Sequence, residues 1–476
     1  MKKQLITGLL SLAVATNIFA DTKSVAQEEY YVSVFDSRVY KDLFSTKDVK
    51  KIFSDYNMVQ QWLNVEIALS KAQADLGIIP KSAALAIKNA AKIENMDFDA
   101  IRAKTNKVGR GIKPILIQMK KAGNKEVKQY LHFGSTTQDI MDTATVLQVK
   151  EASSLIKKEL KKLTLQVADL SLKHKSTVML ARSNGQDAIP TTFGLHLTTY
   201  LMELYRNTQR LDEATSRLQA QIGSTVGTLA PFYEKGLALQ EKFSSNLGLK
   251  SPIAPWNPSR DTFAEIVQTL GLINATLGRL ALDVNNLSRT QIDEIKEGES
   301  GASSTMPQKR NPRASEFMGG FYRMAKMYNA ASLDIMSHTD ARQGSPWILE
   351  WSIIPESFMV TSASINRAQR MFNKLIVKED NMLKNFETSK HFALSEALMN
   401  ALTKKLGRSV AYKIVKKAIK KADKNDGLLD VINKNESIKK HLTPSQIKEI
   451  LKPINYIGSS EQIVQRAVKK VRSELK

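Results

Sequence analysis

An all-α fold carried by long helices is what this sequence predicts. Glycine (22) and proline (13) are sparse among 476 residues, so long stretches run without a helix breaker. Apolar residues at Ile266, Leu270, Ile273, Leu277, Leu280, Val284 and Leu287 alternate steps of four and three, an a/d seam sustained over three heptads. With 42% apolar content and this length, two or three domains are expected rather than one core.

At the start, two lysines precede an apolar run from Leu5 to Ala20 that is too short to span a membrane, and the segment ends in small residues. That order predicts a secretory signal over residues 1–26, cleaved after Ala26, because a cut after Ala20 would place bulky Ile18 where a small side chain is preferred. Export to a periplasmic or secreted location follows. Residues 27–140 carry shorter amphipathic helices, among them FSDYNMVQQWLNVEIALSKAQADLG with a stop at Gly77.

Residues 141–372 hold the long helices. Besides the heptad helix, one carries Val146, Val149, Ile156, Leu160, Leu163, Val167 and Leu170, and another runs from Phe193 to Ile222 with Leu197, Tyr200, Leu201, Leu204 and Leu211 inward. Each would be roughly 40 Å long, forming an elongated bundle. From 373 to 476 the pattern changes to small helices broken at Gly427, Pro444, Pro453 and Gly458, a C-terminal helical domain.

The absence of cysteine excludes disulfides, thiolate catalysis and cysteine-ligated metals, and the six histidines show no metal-ligand spacing. No metal is expected. The net charge is +23, or +21 without residues 1–26, but its lysines are spread along helical segments such as KKELKKL without a groove-reading motif. That is a solvated basic face suited to anionic small molecules, not to nucleic acid.

Two loops carry the chemistry. GESGASSTMPQKRNP (298–312) is a pliable run of small and hydroxyl residues that ends in Lys309, Arg310 and Asn311. It leads from the heptad helix, ending near Ile292, into a helix whose first turn begins with Pro312, so Lys309 and Asn311 sit at a positive helix start. HFGSTTQDIMDTA (132–144) likewise precedes a long helix and offers Ser135, Thr136, Thr137 and Gln138 as donors.

At these loops the chain resembles the fumarase/aspartase superfamily. SSTMPQKRNP is similar to its SSxMPxKxNP signature and HFGSTTQDIMDTA to its HxGxTSxDxxDTA segment. ARSNGQDAIPTTFG, GSTVGTLA and PWNPSRDTFAE follow in the family's order, so the resemblance covers about Asp36 to Ile463. The wording of several stretches, including SPWILEW, looks most like 3-carboxymuconate cycloisomerases, with adenylosuccinate lyases next.

The resemblance implies a three-domain, cofactor-free homotetramer around a central helical bundle, each active site drawing on three subunits. The implied reaction is elimination or addition beta to a carboxylate of a small polycarboxylate, through a carbanion, with fumarate a possible product. Deprotonating beside an ionised carboxylate builds a dianion, which preorganised donors must meet. By the same correspondence Ser303 would be the base, on a loop hinged at Gly298 to Ala302. Thr136, Thr137, Gln138, Lys309 and Asn311 would clamp substrate, and Arg342, Gln186 and Arg260 could hold a carboxylate, although for the arginines a structural ion pair is an equal reading.

The pattern departs at ARSNGQDAIP, where Asn184 stands in place of the family's histidine. In relatives that histidine pairs with a glutamate matching Glu316 in proton transfer; an amide does not titrate at neutral pH. Arg110 in KVGRGIKP stands near where adenylosuccinate lyases carry a second histidine. His132 could serve as the acid or could only orient substrate. The expected activity is therefore a lyase or cycloisomerase; the alternative is an exported anion-binding protein that lost catalysis through Asn184.

Overall fold

A computed structural model describes residues 31–298, 301–302 and 304–475. The expected signal segment 1–26 and Ser303 lie outside the described residues. Residues 31–44 belong to a first compact unit and form turns, with Arg38 over the Tyr31 ring and Phe35 edge-on to Phe44. Ser45–Lys476 form the second unit.

This second unit is helical, in keeping with the all-α expectation. It opens with α1 (Lys47–Ile52), α2 (Asp55–Asp75), α3 (Lys81–Ala90), α4 (Phe98–Val108), α5 (Ile112–Ala122) and α6 (Lys125–Tyr130). Ser54 caps α2 by accepting from the Asn57 amide, and Gly77, at φ +65°, turns the chain out after it. Leu63, Leu69, Ile87, Ile115 and Met119 bury together as the core of this region.

Five long helices follow: α7 (Thr137–Lys173), α8 (Phe193–Ser216), α10 (Asp261–Leu287), α11 (Arg313–Asp334) and α12 (Gly344–Asn373), with the short α9 (Gly236–Asn246) between. The heptad positions of α10 are all buried, from Ile266 to Leu287, and α10 packs on α8, α11 and α12. α7 contains neither glycine nor proline over 37 residues, which makes it about 55 Å long.

Ion pairs at the helix ends give the bundle its polarity. Arg260, just before α10, bonds to Asp142 near the start of α7 and to Glu350 near the start of α12, so these three helices begin at one end. At the opposite end, Arg182, beyond the last turn of α7, bonds to Glu294, beyond the last turn of α10. α8 and α11 run back between them.

Four features differ from the sequence expectation. The helix from Phe193 ends at Ser216 rather than Ile222, because Gln221 exchanges hydrogen bonds with the Thr143 hydroxyl and the Ala220 amide donates to Lys250, replacing helical bonds with tertiary ones. α10 ends at Leu287, not near Ile292, and Pro312 occupies the cap of α11 rather than its first turn. Small strands also appear. β1 (Val178–Ser183) and β2 (Gln186–Thr192) form an antiparallel hairpin joined by Asn184 and Gly185. β3 (Ile295–Lys296) pairs with β6 (Ile376–Val377), and β4 (Gly301–Ala302) with β5 (Arg310–Asn311).

After β6 come α13 (Glu379–Thr388), α14 (Ser395–Leu406), α15 (Arg408–Lys420), α16 (Leu428–Asn433), α17 (Glu436–Lys439), α18 (Pro444–Ile450) and α19 (Ser460–Glu474). Leu394, Leu398, Leu402, Leu428, Ile432 and Ile438 bury with Leu180 of β1 in a separate core. Gly427 and Pro444 stand at helix starts, as breakers should.

Candidate functional site

At the end where α7, α10 and α12 begin, the chain turns sharply through His132 (φ +65°) and Gly134 (φ +73°) before entering α7. Any side chain at Gly134 would lie 2.4 Å from the Phe232 ring, so only glycine fits this approach. The turn directs His132 onto α2, where its Nδ1 lies 2.6 Å from Oε1 of Glu66. Glu66 is only 2% exposed. Burial pushes the imidazole pKa down, but the Glu66 charge and hydrogen bond outweigh it, and the His132 pKa is raised above its ordinary value.

Thr136, at the N-cap of α7, receives a hydrogen bond on its hydroxyl from Nη1 of Arg342 at 2.8 Å. Its amide donates to Asp139, which also accepts from the Gly223 and Ser224 amides. Asp139 thus ties the HFGSTTQD segment to GSTVGTLA. Burial pushes its carboxyl up to about 7, against the backbone donors and Gln221, which favour the ionised form. The folded chain then keeps a proton that the unfolded chain has released, so this group's stabilising contribution is complete below its unfolded pKa and is lost as pH rises through about 7. Asp139→Asn, which cannot ionise, is expected to narrow its stability deficit by roughly 1–3 kcal/mol between about pH 5 and pH 8. Urea unfolding of both proteins across that range checks this.

Beneath these groups lies a buried triad. Arg260 donates from Nε and Nη2 to Glu350 at 2.6 Å each, and from Nη1 and Nη2 to Asp142 at 2.8 and 3.0 Å; Nη1 also reaches the Asn257 carbonyl. Five donor contacts occupy the guanidinium, so of the two readings for Arg260 the geometry is that of a structural ion pair. Gln138 is similarly occupied, its amide nitrogen on Asp142 and the Asn257 carbonyl. Trp347 Nε1 adds a bond to Asp142. Thr137 is the first residue of α7.

His338 approaches the same end. Its Nδ1 accepts from the Gln343 amide, its shielded Nε2 has no partner among the described residues, and burial lowers its pKa. The other histidines are packing or surface groups: His174 bonds to Thr177 and stacks edge-on to Phe193, and His196 pairs with Asp283.

The remaining candidates sit at the far end of α7. Asn184 (φ +54°) and Gly185 (φ +75°) are the two residues of a tight turn between paired Ser183 and Gln186, the backbone of a type I′ hairpin that favours Asn-Gly. Asn184 is exposed, and among the described residues the Gln186 side chain donates to the Gly185 carbonyl alone. Glu316 is exposed and pairs with Arg313 at 2.9 Å, not with Asn184. The cap of α11 is instead Glu297, buried and accepting from the Ala314 and Ser315 amides. Lys309 is exposed, and Asn311 lies in β5 opposite Gly301.

The candidates therefore fall into two groups within one chain. His132, Thr136, Thr137, Gln138 and Arg342 gather at one end, and Asn184, Gln186, Lys309, Asn311 and Glu316 at the other, separated by about the 55 Å of α7. Glu66 was missed by sequence reasoning. Its signal is a carboxylate on the buried stripe of α2, one turn after Trp62.

This helical bundle with polar loops at both ends is the architecture of a class of lyases. A family model described as "Lyase" matches residues 44–324, and one described as "Adenylosuccinate lyase C-terminus" matches 391–467. The trans-aconitate decarboxylase 1 of Mycosarcoma maydis is 34% identical, over 91% of this chain and 89% of that protein. The 3-carboxy-cis,cis-muconate cycloisomerase of Acinetobacter baylyi is 32% identical, over 92% of this chain and all of that one (100%). Among solved structures, the 3-carboxy-cis,cis-muconate lactonizing enzyme of Pseudomonas putida superposes with a TM-score of 0.86 at 30% identity, covering 92% of this chain and 99% of that chain. The chain belongs to the fumarase/aspartase superfamily and has its lyase and cycloisomerase character.

Proposed function

We propose that the protein acts on a small polycarboxylate by elimination beta to a carboxylate, or the reverse addition, through a carbanion, in a homotetramer whose sites join opposite ends of different copies. The observation that carries this reading is the separation of the two residue groups by the length of α7: an antiparallel neighbour would supply one group to the other. Exposed Leu272 and Leu282 on α10 and Met327 and Leu333 on α11 support burial of these helices by further copies.

In this reading Thr136, Thr137, Lys309, Asn311 and Arg342 hold the carboxylates, Ser303 takes the proton from carbon, and His132, oriented by Glu66, faces the leaving group. Asn184 and Glu316 complete the far side, and the three-domain division at 140 and 372 follows the family. No cofactor is required by this chemistry. Export belongs to the same proposal, and N-terminal sequencing of secreted protein should begin at Gln27.

A second reading, an anion-binding protein without turnover, draws on Asn184, whose left-handed conformation suits the hairpin and whose amide cannot move a proton. Ultraviolet assay of the mature protein against a polycarboxylate panel separates the two. Formation of a conjugated product, abolished in Ser303→Ala, supports the enzyme. Tight binding with no product from any substrate, unchanged in Ser303→Ala, supports the second reading.

A further inference from the structure

A cavity of about 560 Å³ opens between α2, α4, α7 and α12. Its walls join an apolar side, including Met58, Trp62, Phe98, Met141 and Trp351, to a polar one that holds Asn106 and Gln148 and two arginines, Arg102 and Arg110. The Arg110 guanidinium lies 5.1 Å from the Trp347 ring centroid and 5.2 Å from that of Trp351. These rings meet nearly at right angles, 5.3 Å apart. Such stacking holds the planar cation in place.

Unlike Arg260, whose donors are taken, Arg110 makes one hydrogen bond, from Nη1 to the Gly109 carbonyl, and pairs with no carboxylate among the described residues. The acids nearby are otherwise engaged or peripheral: Glu350 is bound to Arg260, Asp99 to Arg102, and Asp55 stands in the first turn of α2. The loop lies close against the cavity wall. A Cβ on Gly111 would stand 2.5 Å from the Trp62 ring, so the backbone after Arg110 is pressed flat against it.

The cavity adjoins the His132 group. α2 gives Trp62 to the cavity and, one turn later, Glu66 to His132; α7 gives Met141 to the cavity just after Thr136. A Cβ on Gly344, two residues beyond Arg342, would lie 3.3 Å from Nη2 of Arg110. Two arginines therefore flank the start of α12 with different tasks, Arg342 on Thr136 and Arg110 over the apolar cavity.

We propose that this cavity receives a substrate arm with a flat or branched apolar body ending in a carboxylate, and that Arg110 selects that carboxylate. This rests on the reading of the His132, Thr136 and Arg342 group as the polycarboxylate site, to which it adds the class of the group attached. An apolar acid replaces water along the walls while its charge supplies the guanidinium's missing partner.

The test is direct binding, which needs no turnover. Three of the four tryptophans, Trp62, Trp347 and Trp351, line or adjoin the cavity, so intrinsic fluorescence reports occupancy. Phenylacetate should quench it saturably and phenylacetamide at least tenfold more weakly. Arg110→Gln should erase that preference, whereas Arg110→Lys, which keeps charge without the planar stack, should retain part of it; thermal unfolding verifies that both variants fold. No saturable quenching by phenylacetate, equal binding of acid and amide, or an unchanged preference in Arg110→Gln overturns the proposal. Charge-selective binding through Arg110 without turnover of any polycarboxylate would leave the cavity assignment standing while the lyase reading falls.

Discussion

Arg260→Leu should destabilise the chain by about 3–5 kcal/mol, a large share of the stability of a typical folded protein. The guanidinium is 1% exposed, lies between the Trp256 and Phe263 rings at 5.1 Å from each, and binds both Asp142 and Glu350. Removing it strands two buried carboxylates. Asp142 keeps Gln138 and Trp347 as donors, but Glu350 loses both of its hydrogen bonds to Arg260. Burial already holds the Glu350 pKa above the usual carboxylate range even with Arg260 opposing it.

A raised carboxyl pKa means that the stabilising contribution is full below the unfolded pKa and is lost as pH rises through the folded one. In Arg260→Leu the opposing cation is gone, so the loss should be larger near pH 8 than near pH 5. Urea unfolding at the two values measures the difference. Replacing all three members by leucine should recover a substantial part of the loss, since no charge is then left unpaired. A loss under about 1 kcal/mol for Arg260→Leu would show that the triad does not organise this end of the bundle.

The long helices were legible because an apolar stripe repeated every three to four residues has one good solution, and the buried heptad face of α10 is that solution. The stop at Gly77 and the breaks at Gly427 and Pro444 were legible for the same local reason. What lay outside reach depended on tertiary competition. Residues 217–222 have helical pattern yet leave the helix for Thr143 and Lys250, partners more than 25 positions away. The Asn184-Gly185 turn carries its own sign, an Asn-Gly pair between short β-prone runs, inside a segment that also matches a family motif. Motifs in chain order reveal which residues matter without revealing their distances. Only α7 shows that a single chain keeps the two halves of the candidate site apart.

Within the half that one chain does assemble, His132→Asn is expected to lower turnover by about 10² to 10⁴, the range for loss of a general acid or base. Glu66→Gln tests the same group without touching it. In the proposed reading Glu66 is a positioning residue: its charge and hydrogen bond raise the His132 pKa against burial, with a smaller contribution from Asp139 and an opposing one from Lys120. In the native protein the imidazolium therefore survives above the ordinary histidine range, and activity that needs the proton falls as pH rises through that elevated value. Glu66→Gln removes the leading causes of elevation and leaves burial, so the descending limb should move to lower pH. The stabilising contribution moves in the same sense, full below the unfolded pKa and lost at a lower pH than in the parent. The two substitutions should not add in a double variant, because both act through one proton. An alkaline limb that stays in place in Glu66→Gln would show that His132 only orients substrate, and that the proton for the leaving group comes from another residue.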